Sequence, residues 1–300
     1  MDLIQAVILG IVQGITEWLP ISSTAHLRVV PALVGWDDPG SAFTAVIQLG
    51  TILAVVLYFW SDLVRYVGGW LKSLFGGPKG TVEAKMGWGV FVGTLPILFA
   101  GFFGRDWITG PLRSLNVIAA SLIVFGLVMY VADRLAVQNR DMEQVNVKDG
   151  LVVGLFQVLS LIPGVSRSGS TMTGAFLRGF DRPTAARFSF LLSLPSITAA
   201  GLFQLYDERD MILKERVLPV LVATVVSFVV GYASIAWLIR YLQKNGLGIF
   251  VVYRIVLGVT LIVLVQTGTV PAMSDSRPEP PSASRSESPV SDRVAWQPDR

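Results

Sequence analysis

The chain has no cysteine, and His26 is the one histidine among its 300 residues. Disulfides, thiolate nucleophiles and thiolate metal sites are therefore excluded, and any imidazole chemistry must use His26. Charge is scarce as well. Charged residues make up 15% of the chain, against about 25% in soluble domains. The net charge of +3 is small and the basic residues are scattered, which excludes the clustered basic face that nucleic acid requires; no nucleic-acid partner is expected. No lysine or arginine precedes Arg28 and no cleavage pattern follows, so the first residues do not read as a signal peptide.

What is present is apolar: 52% of the residues are hydrophobic, gathered in long runs, as in an all-α polytopic membrane protein. Six runs are long enough to span: about 42–60, 86–104, 115–135, 184–206, 217–241 and 248–267. Two others are too short. Residues 3–17 lead through Pro20 into a second short helix at about 24–34, and residues 150–162 lead through Pro163 and Gly164 into one that starts near Ser170 and ends near Gly179. Each pair is expected to form a re-entrant hairpin, a shape tolerated at membrane depth only inside protein or beside a watery cavity. The stretch 61–85 carries Arg65, Lys72, Lys79 and Lys85 among aromatic residues and is expected to lie partly along the interface. The tryptophans are expected mostly as interfacial anchors.

One constant offset takes Gly10 to Gly154, Gln13 to Gln157, Thr16 to Ser160 and Ser22 to Ser166. The expected architecture is thus an inverted-topology repeat with halves at about 1–137 and 149–268, each with one re-entrant hairpin and three transmembrane helices. Chance similarity between two greasy sequences is the competing explanation. Residues 1–270 form the membrane domain; 271–300, rich in proline and serine, are expected to be a disordered tail. The lysine and arginine bias places the 61–85, 136–149 and 178–187 segments on the cytoplasmic side and opens the first hairpin outward.

Two polar islands interrupt the apolar sequence. The first runs from Gln13 to His26, Gln-Gly-Ile-Thr-Glu-Trp-Leu-Pro-Ile-Ser-Ser-Thr-Ala-His. Gln13 and Glu17 share a helix face, and a carboxylate in apolar surroundings is costly enough to suggest function. With Gln13, Glu17 offers oxygen ligands for a divalent cation, Mg²⁺ or Ca²⁺; the structural alternative is a carboxylate that caps or pairs near water. Ser23 and His26 lie one turn apart as a candidate nucleophile and base, against the alternative of a serine cap and a buried, hydrogen-bonded histidine. The second island, Pro163 to Thr171, reads Pro-Gly-Val-Ser-Arg-Ser-Gly-Ser-Thr. Gly164 allows close backbone approach, Ser166, Ser168 and Thr171 offer hydroxyls, a helix start offers N–H groups, and Arg167 offers a forked cation: a set suited to phosphate. The alternative is a structural Arg167–Glu17 pair holding the hairpins together. Arg28, Arg178, Arg182 and Arg187 are expected at the interface. Arg254, inside the last run, is expected to snorkel or to pair with another helix.

These two islands resemble the signature segments of the BacA/UppP family of undecaprenyl-diphosphate phosphatases, and the similarity covers about residues 1–268. Glutamine at Gln13 is accepted by the family pattern, and Ala25 replaces a common glycine. The resemblance implies a plasma-membrane phosphatase that converts undecaprenyl diphosphate to undecaprenyl phosphate and inorganic phosphate. That reaction recycles the carrier for cell-wall polymers and confers bacitracin resistance. It further implies a divalent cation and an active site on the periplasmic side. The family's functional positions fall on Gln13, Glu17, Ser23, His26, Ser166, Arg167 and Thr171. Ser22, Gly164 and Ser168 join them as expected substrate contacts. The single histidine excludes the membrane lipid phosphatases that use two. A carrier of polyprenyl phosphate is the rival function, and a homodimer is the assembly to test.

Overall fold

In the computed structural model, residues 1–104, 107–108, 111–207, 209 and 217–272 are described, the side chains of 41 and 42 excepted. Among them the regular structure is helical, with no strand beyond one isolated bridge between Arg140 and Phe180. Five helices are long and apolar enough to cross a membrane: α5 (Val82–Phe103), α6 (Leu115–Leu135), α9 (Arg182–Asp207), α10 (Val217–Leu242) and α11 (Gly248–Gln266). A sixth crossing comes from α3 (Gly40–Tyr58), which breaks at Phe59 and bends by 81° into α4 (Trp60–Leu74). The stretch expected along the interface is therefore helical over most of its length. Its apolar face carries the buried Tyr66, while Arg65 pairs with Glu83 at 2.7 Å.

The two short pairs are present. In the first, α1 (Leu3–Thr16) is followed by α2 (Ser23–Val34); in the second, α7 (Val147–Val158) runs through a turn of 3₁₀ helix into α8 (Arg167–Leu177). The constant offset seen in the sequence also carries the start of α1 to that of α7 and the start of α2 to that of α8. It further joins two residues in the same uncommon conformation: Ser22 and Ser166 both have φ of 76°, a region that side chains disfavour. Each serine caps the helix that follows. Ser22 accepts from the Ala25 N–H at 3.4 Å and Ser166 from the Gly169 N–H at 3.2 Å. The second of these helices thus begins at Arg167, ahead of the expected Ser170, because the cap is available earlier.

The first helix of each pair packs on a span from the opposite half. Contact between α1 and α10 is close at Gly10, where a β-carbon would stand 2.7 Å from the Ala223 carbonyl oxygen. Contact between α7 and α5 is closer, for a β-carbon at Gly154 would stand 2.1 Å from the Gly93 carbonyl oxygen. Small residues that let backbones meet are a recurrent device for helix association in lipid. The central core gathers Trp18, Phe59, Phe176, Phe180, Phe188 and Phe190. Trp18 is thus no interfacial anchor; its ring meets Phe190 edge-on with centroids 4.9 Å apart.

The four arginines expected at the interface are each paired with a carboxylate. Arg178 and Arg140 both bind the buried Asp149, at 2.7 and 2.6 Å; Arg182 binds Asp133 at 2.7 Å, Arg187 binds Asp62 at 2.6 Å, and Arg28 lies 3.5 Å from Asp38. Arg254 does not snorkel; it pairs with another helix, through the Leu122 and Ser121 carbonyl oxygens of α6, and has no carboxylate partner among the described residues. It is wholly buried, and its guanidinium is spent on four backbone carbonyls. At the end of α11 the chain folds back, and Ala272 accepts from the Leu115 N–H at 2.9 Å. The rest of the expected tail, 273–300, lies outside the described residues.

Candidate active site

Glu17 directly follows α1, where the helix gives way to the Pro20 turn, and is buried. A carboxylate there must collect donors to offset its desolvation, and it collects four. Its Oε2 accepts from the Gln13 amide at 2.9 Å, one helical turn back, and from the Ser23 hydroxyl at 2.6 Å, across the turn. Its Oε1 accepts from the Gln48 amide at 2.5 Å and pairs with the Arg167 guanidinium. The two islands, 150 positions apart at these residues, therefore meet at one carboxylate.

Ser23 is the first residue of α2 and is partly exposed. Ser22 is almost fully buried; its hydroxyl serves as the cap and shares a hydrogen bond with Thr24 at 3.1 Å. The expected Ser23–His26 couple does not form. His26 Nδ1 lies 2.7 Å from the Ser22 carbonyl oxygen, which only accepts, so Nδ1 carries the proton. Nε2 then accepts in the neutral ring, from the Tyr253 hydroxyl at 2.6 Å. Tyr253 also stacks on the imidazole, with an interplanar angle of 8°. Both ring nitrogens are engaged, and the group beside the Ser23 proton is Glu17.

On the second hairpin, Arg167 is the first residue of α8, and its only partner among the described residues is Glu17. Its Nε and Nη1 donors remain open, as do the Arg167 and Ser168 N–H groups, which precede the first intrahelical bond. The neighbouring side chains look inward. Ser166 is consumed as the cap, Ser168 donates to the Leu19 carbonyl oxygen at 3.0 Å, and Thr171 bonds the Arg167 carbonyl oxygen at 2.7 Å and the Ser189 hydroxyl. Gly164 has φ of 96°, and a β-carbon there would stand 2.6 Å from the Ile118 carbonyl oxygen. Its smallness serves contact with α6 rather than approach to a ligand. Of the expected set, Gln13, Glu17, Ser23 and Arg167 form one cluster. His26 adjoins it through Ser22, and Ser166, Ser168 and Thr171 hold its frame. Sequence reasoning passed over Gln48 and Tyr253; the signal for Gln48 was an amide in the middle of an apolar span.

A divalent cation finds a partial donor set here. The Gln13 Oε1 is buried with no partner, one turn from a carboxylate. No group of three or more histidine, aspartate or glutamate side chains lies together among the described residues. The oxygens present suit a cation that takes most of its ligands from a phosphate-bearing partner.

A family profile described as "Bacitracin resistance protein BacA" matches residues 6–260. Among curated relatives, the chain is 49% identical over 282 residues to a protein of Chlorobium limicola named "Undecaprenyl-diphosphatase", covering 91% of this chain and 100% of the relative. Proteins of the same name from Nocardioides and Myxococcus xanthus are each 48% identical, over 91% of this chain and 100% and 93% of their own lengths. With matching segments that build one carboxylate–guanidinium–serine cluster, and with similarity across almost all of its length, the chain belongs to the BacA family.

Proposed function

We propose that this membrane protein hydrolyses undecaprenyl diphosphate to undecaprenyl phosphate and inorganic phosphate, returning the lipid carrier to cell-wall polymer synthesis and raising tolerance to bacitracin. The observation that carries this reading is the convergence of Glu17, Ser23 and Arg167 from two hairpin turns, in a chain whose relatives bear the name of that activity. Phosphoryl transfer needs positioning and charge neutralisation above all. Arg167 supplies a fixed cation with donors to spare, and the α8 N-terminus adds N–H groups for phosphate oxygens. The prenyl chain lies among the spans, where lipid reaches it.

Ser23 is the nucleophile in this scheme and Glu17 its base. As the bond from Ser23 Oγ to the terminal phosphorus forms and the bond to the bridging oxygen breaks, the serine proton passes to Glu17 Oε2. Glu17 hands it to the departing phosphate oxygen of the lipid. Water then attacks the phosphoserine; Glu17 takes its proton and returns it to Ser23 Oγ as inorganic phosphate leaves. His26 holds the strained Ser22 carbonyl oxygen and so aims Ser23, while Tyr253 fixes the ring. A divalent cation would be held by Glu17 and Gln13 with diphosphate oxygens, and it supplies further neutralisation of phosphate charge. The two hairpins form an inverted pair, with the cluster open to the outer side of the plasma membrane.

Phosphate release from purified protein in detergent tests this directly, because micelles hold no second compartment and a carrier alone gives no release. Glu17→Ala and Arg167→Ala are expected to lose at least about a hundredfold in kcat. Ser23→Ala is expected to lose about as much, and the native protein to yield a trapped phosphoserine with a slow substrate. Near-normal turnover in Ser23→Ala would transfer the attack to a water activated by Glu17.

A further inference from the structure

Wherever a helix is broken inside a membrane, carbonyl oxygens lose their partners with no water to replace them. Both hairpin turns carry this cost, and one side chain from the last span meets it at both. Arg254 Nη1 donates to the Pro20 carbonyl oxygen at 3.2 Å, in the first turn, and Nη2 to that of Gly164 at 2.8 Å, in the second. Pro20 and Gly164 are related by the same offset that relates Ser22 to Ser166. The same guanidinium is anchored to α6, through the Leu122 and Ser121 carbonyl oxygens, each at 3.3 Å. Close contact of α11 with α6 brings it there: a β-carbon at Gly258, one turn on, would stand 2.9 Å from the Ala119 carbonyl oxygen.

We infer that Arg254 is the positioning residue that sets the two hairpin turns at the separation the Glu17–Ser23–Arg167 cluster requires. Glu17 and Ser23 flank Pro20 on the first turn, and Arg167 follows Gly164 by three positions on the second. A rigid fork that holds both turn carbonyls fixes how far apart those side chains start. Geometry favours arginine over lysine here, since planar donors bridge acceptors on two chains at fixed spacing and a flexible ammonium does not. Among the described residues the charge is met without a carboxylate, by the oxygens of four backbone carbonyls. Touching no substrate atom, Arg254 acts through the turns. The inference rests on the proposed activity for its kinetic arm only.

The test uses the full chain, whose lack of cysteine permits clean spin labelling. Labels at Leu33→Cys and Leu155→Cys, both exposed and one on each hairpin, report the distance between hairpins. Arg254→Met is expected to broaden that distance distribution and to lower kcat about a hundredfold while KM moves less than about threefold, as for misplaced catalytic groups. Arg254→Lys is expected to recover part of both. A parental distance distribution in Arg254→Met, or kcat within about threefold of the parent, overturns the inference. Should Arg254→Met not fold, Arg254→Gln, whose single amide cannot bridge both turns, is read by the same two criteria; if neither folds, Arg254 serves the fold and the inference is overturned. Failure of the parent to release phosphate sinks the proposed activity instead and leaves the distance measurement to decide on Arg254.

Discussion

Glu17 illustrates how a single buried group dictates its surroundings. A lone carboxylate at membrane depth is affordable only when its oxygens are saturated, and each donor found here answers that demand. Gln13 comes from the same helix, Ser23 from the next, Gln48 from α3 and Arg167 from the other half. Gln48 has no place in either polar island, yet it bonds the same oxygen as Arg167. Gln48→Leu removes one hydrogen bond to a charged group, a loss of about 1.5–3 kcal/mol. It should lower kcat roughly ten- to a hundredfold with little change in expression, as read by phosphate release and yield. Unchanged kcat would make Gln48 a bystander. The offset between expected and observed roles for His26 has the same origin. Its spacing from Ser23 suggested a couple, but the Ser22 carbonyl and Tyr253 are nearer claimants for its nitrogens.

Helices here are short or broken where the chemistry sits and long where the bilayer must be crossed. The short helices α1 and α7 cannot stand alone in lipid; each relies on a glycine-lined contact with a span of the other half. Gly154→Leu should therefore be destabilising: its side chain would start 2.1 Å from a backbone oxygen of α5 that cannot move aside cheaply. The expected cost is about 1–3 kcal/mol or more, seen as a lower melting temperature in detergent with phosphate release falling in parallel. Gly68→Ala, on α4 with open space around it, is the control, and it should be neutral or slightly stabilising through helix propensity. Equal melting temperatures for the two variants would show that the α5–α7 contact does not hold the second hairpin. The break at Phe59 belongs to this level as well: there the chain bends by 81° from the apolar α3 into α4, which carries Arg65 and Lys72.

Across the molecule, the ion pairs of Asp133 with Arg182 and Asp62 with Arg187 join the two halves, while Asp149 ties Arg178 to Arg140 in the preceding loop, all within or beside the stretches rich in lysine and arginine. The charge bias predicts that this is the cytoplasmic side and that the 35–39 turn, where Asp38 meets Arg113, faces the other. Single cysteines test the arrangement on an otherwise cysteine-free chain. In intact cells a membrane-impermeant maleimide should label Asp37→Cys and spare Lys72→Cys, both exposed positions, and permeabilised cells should label both. The reverse pattern would invert the protein and move the site's opening to the cytoplasm.

Hydropathy, breakers and the two polar islands are local properties, so the chain by itself determined its class, its apolar spans and where the pairs of short helices fall, and it pointed to Gln13, Glu17, Ser23 and Arg167. Even the offset linking Ser22 to Ser166 was visible without coordinates, since it depends on residue order alone. What only the tertiary structure decided is who bonds to whom across the halves: Glu17 as the partner of Ser23, Gln48 as its fourth donor, and Arg254 as the tie between two turns. An isolated polar residue in an apolar run looks the same whether it reaches for headgroups or closes a buried network. The choice is made by helix packing, which brings acceptors from distant segments within about 3 Å of a donor and which no local pattern encodes.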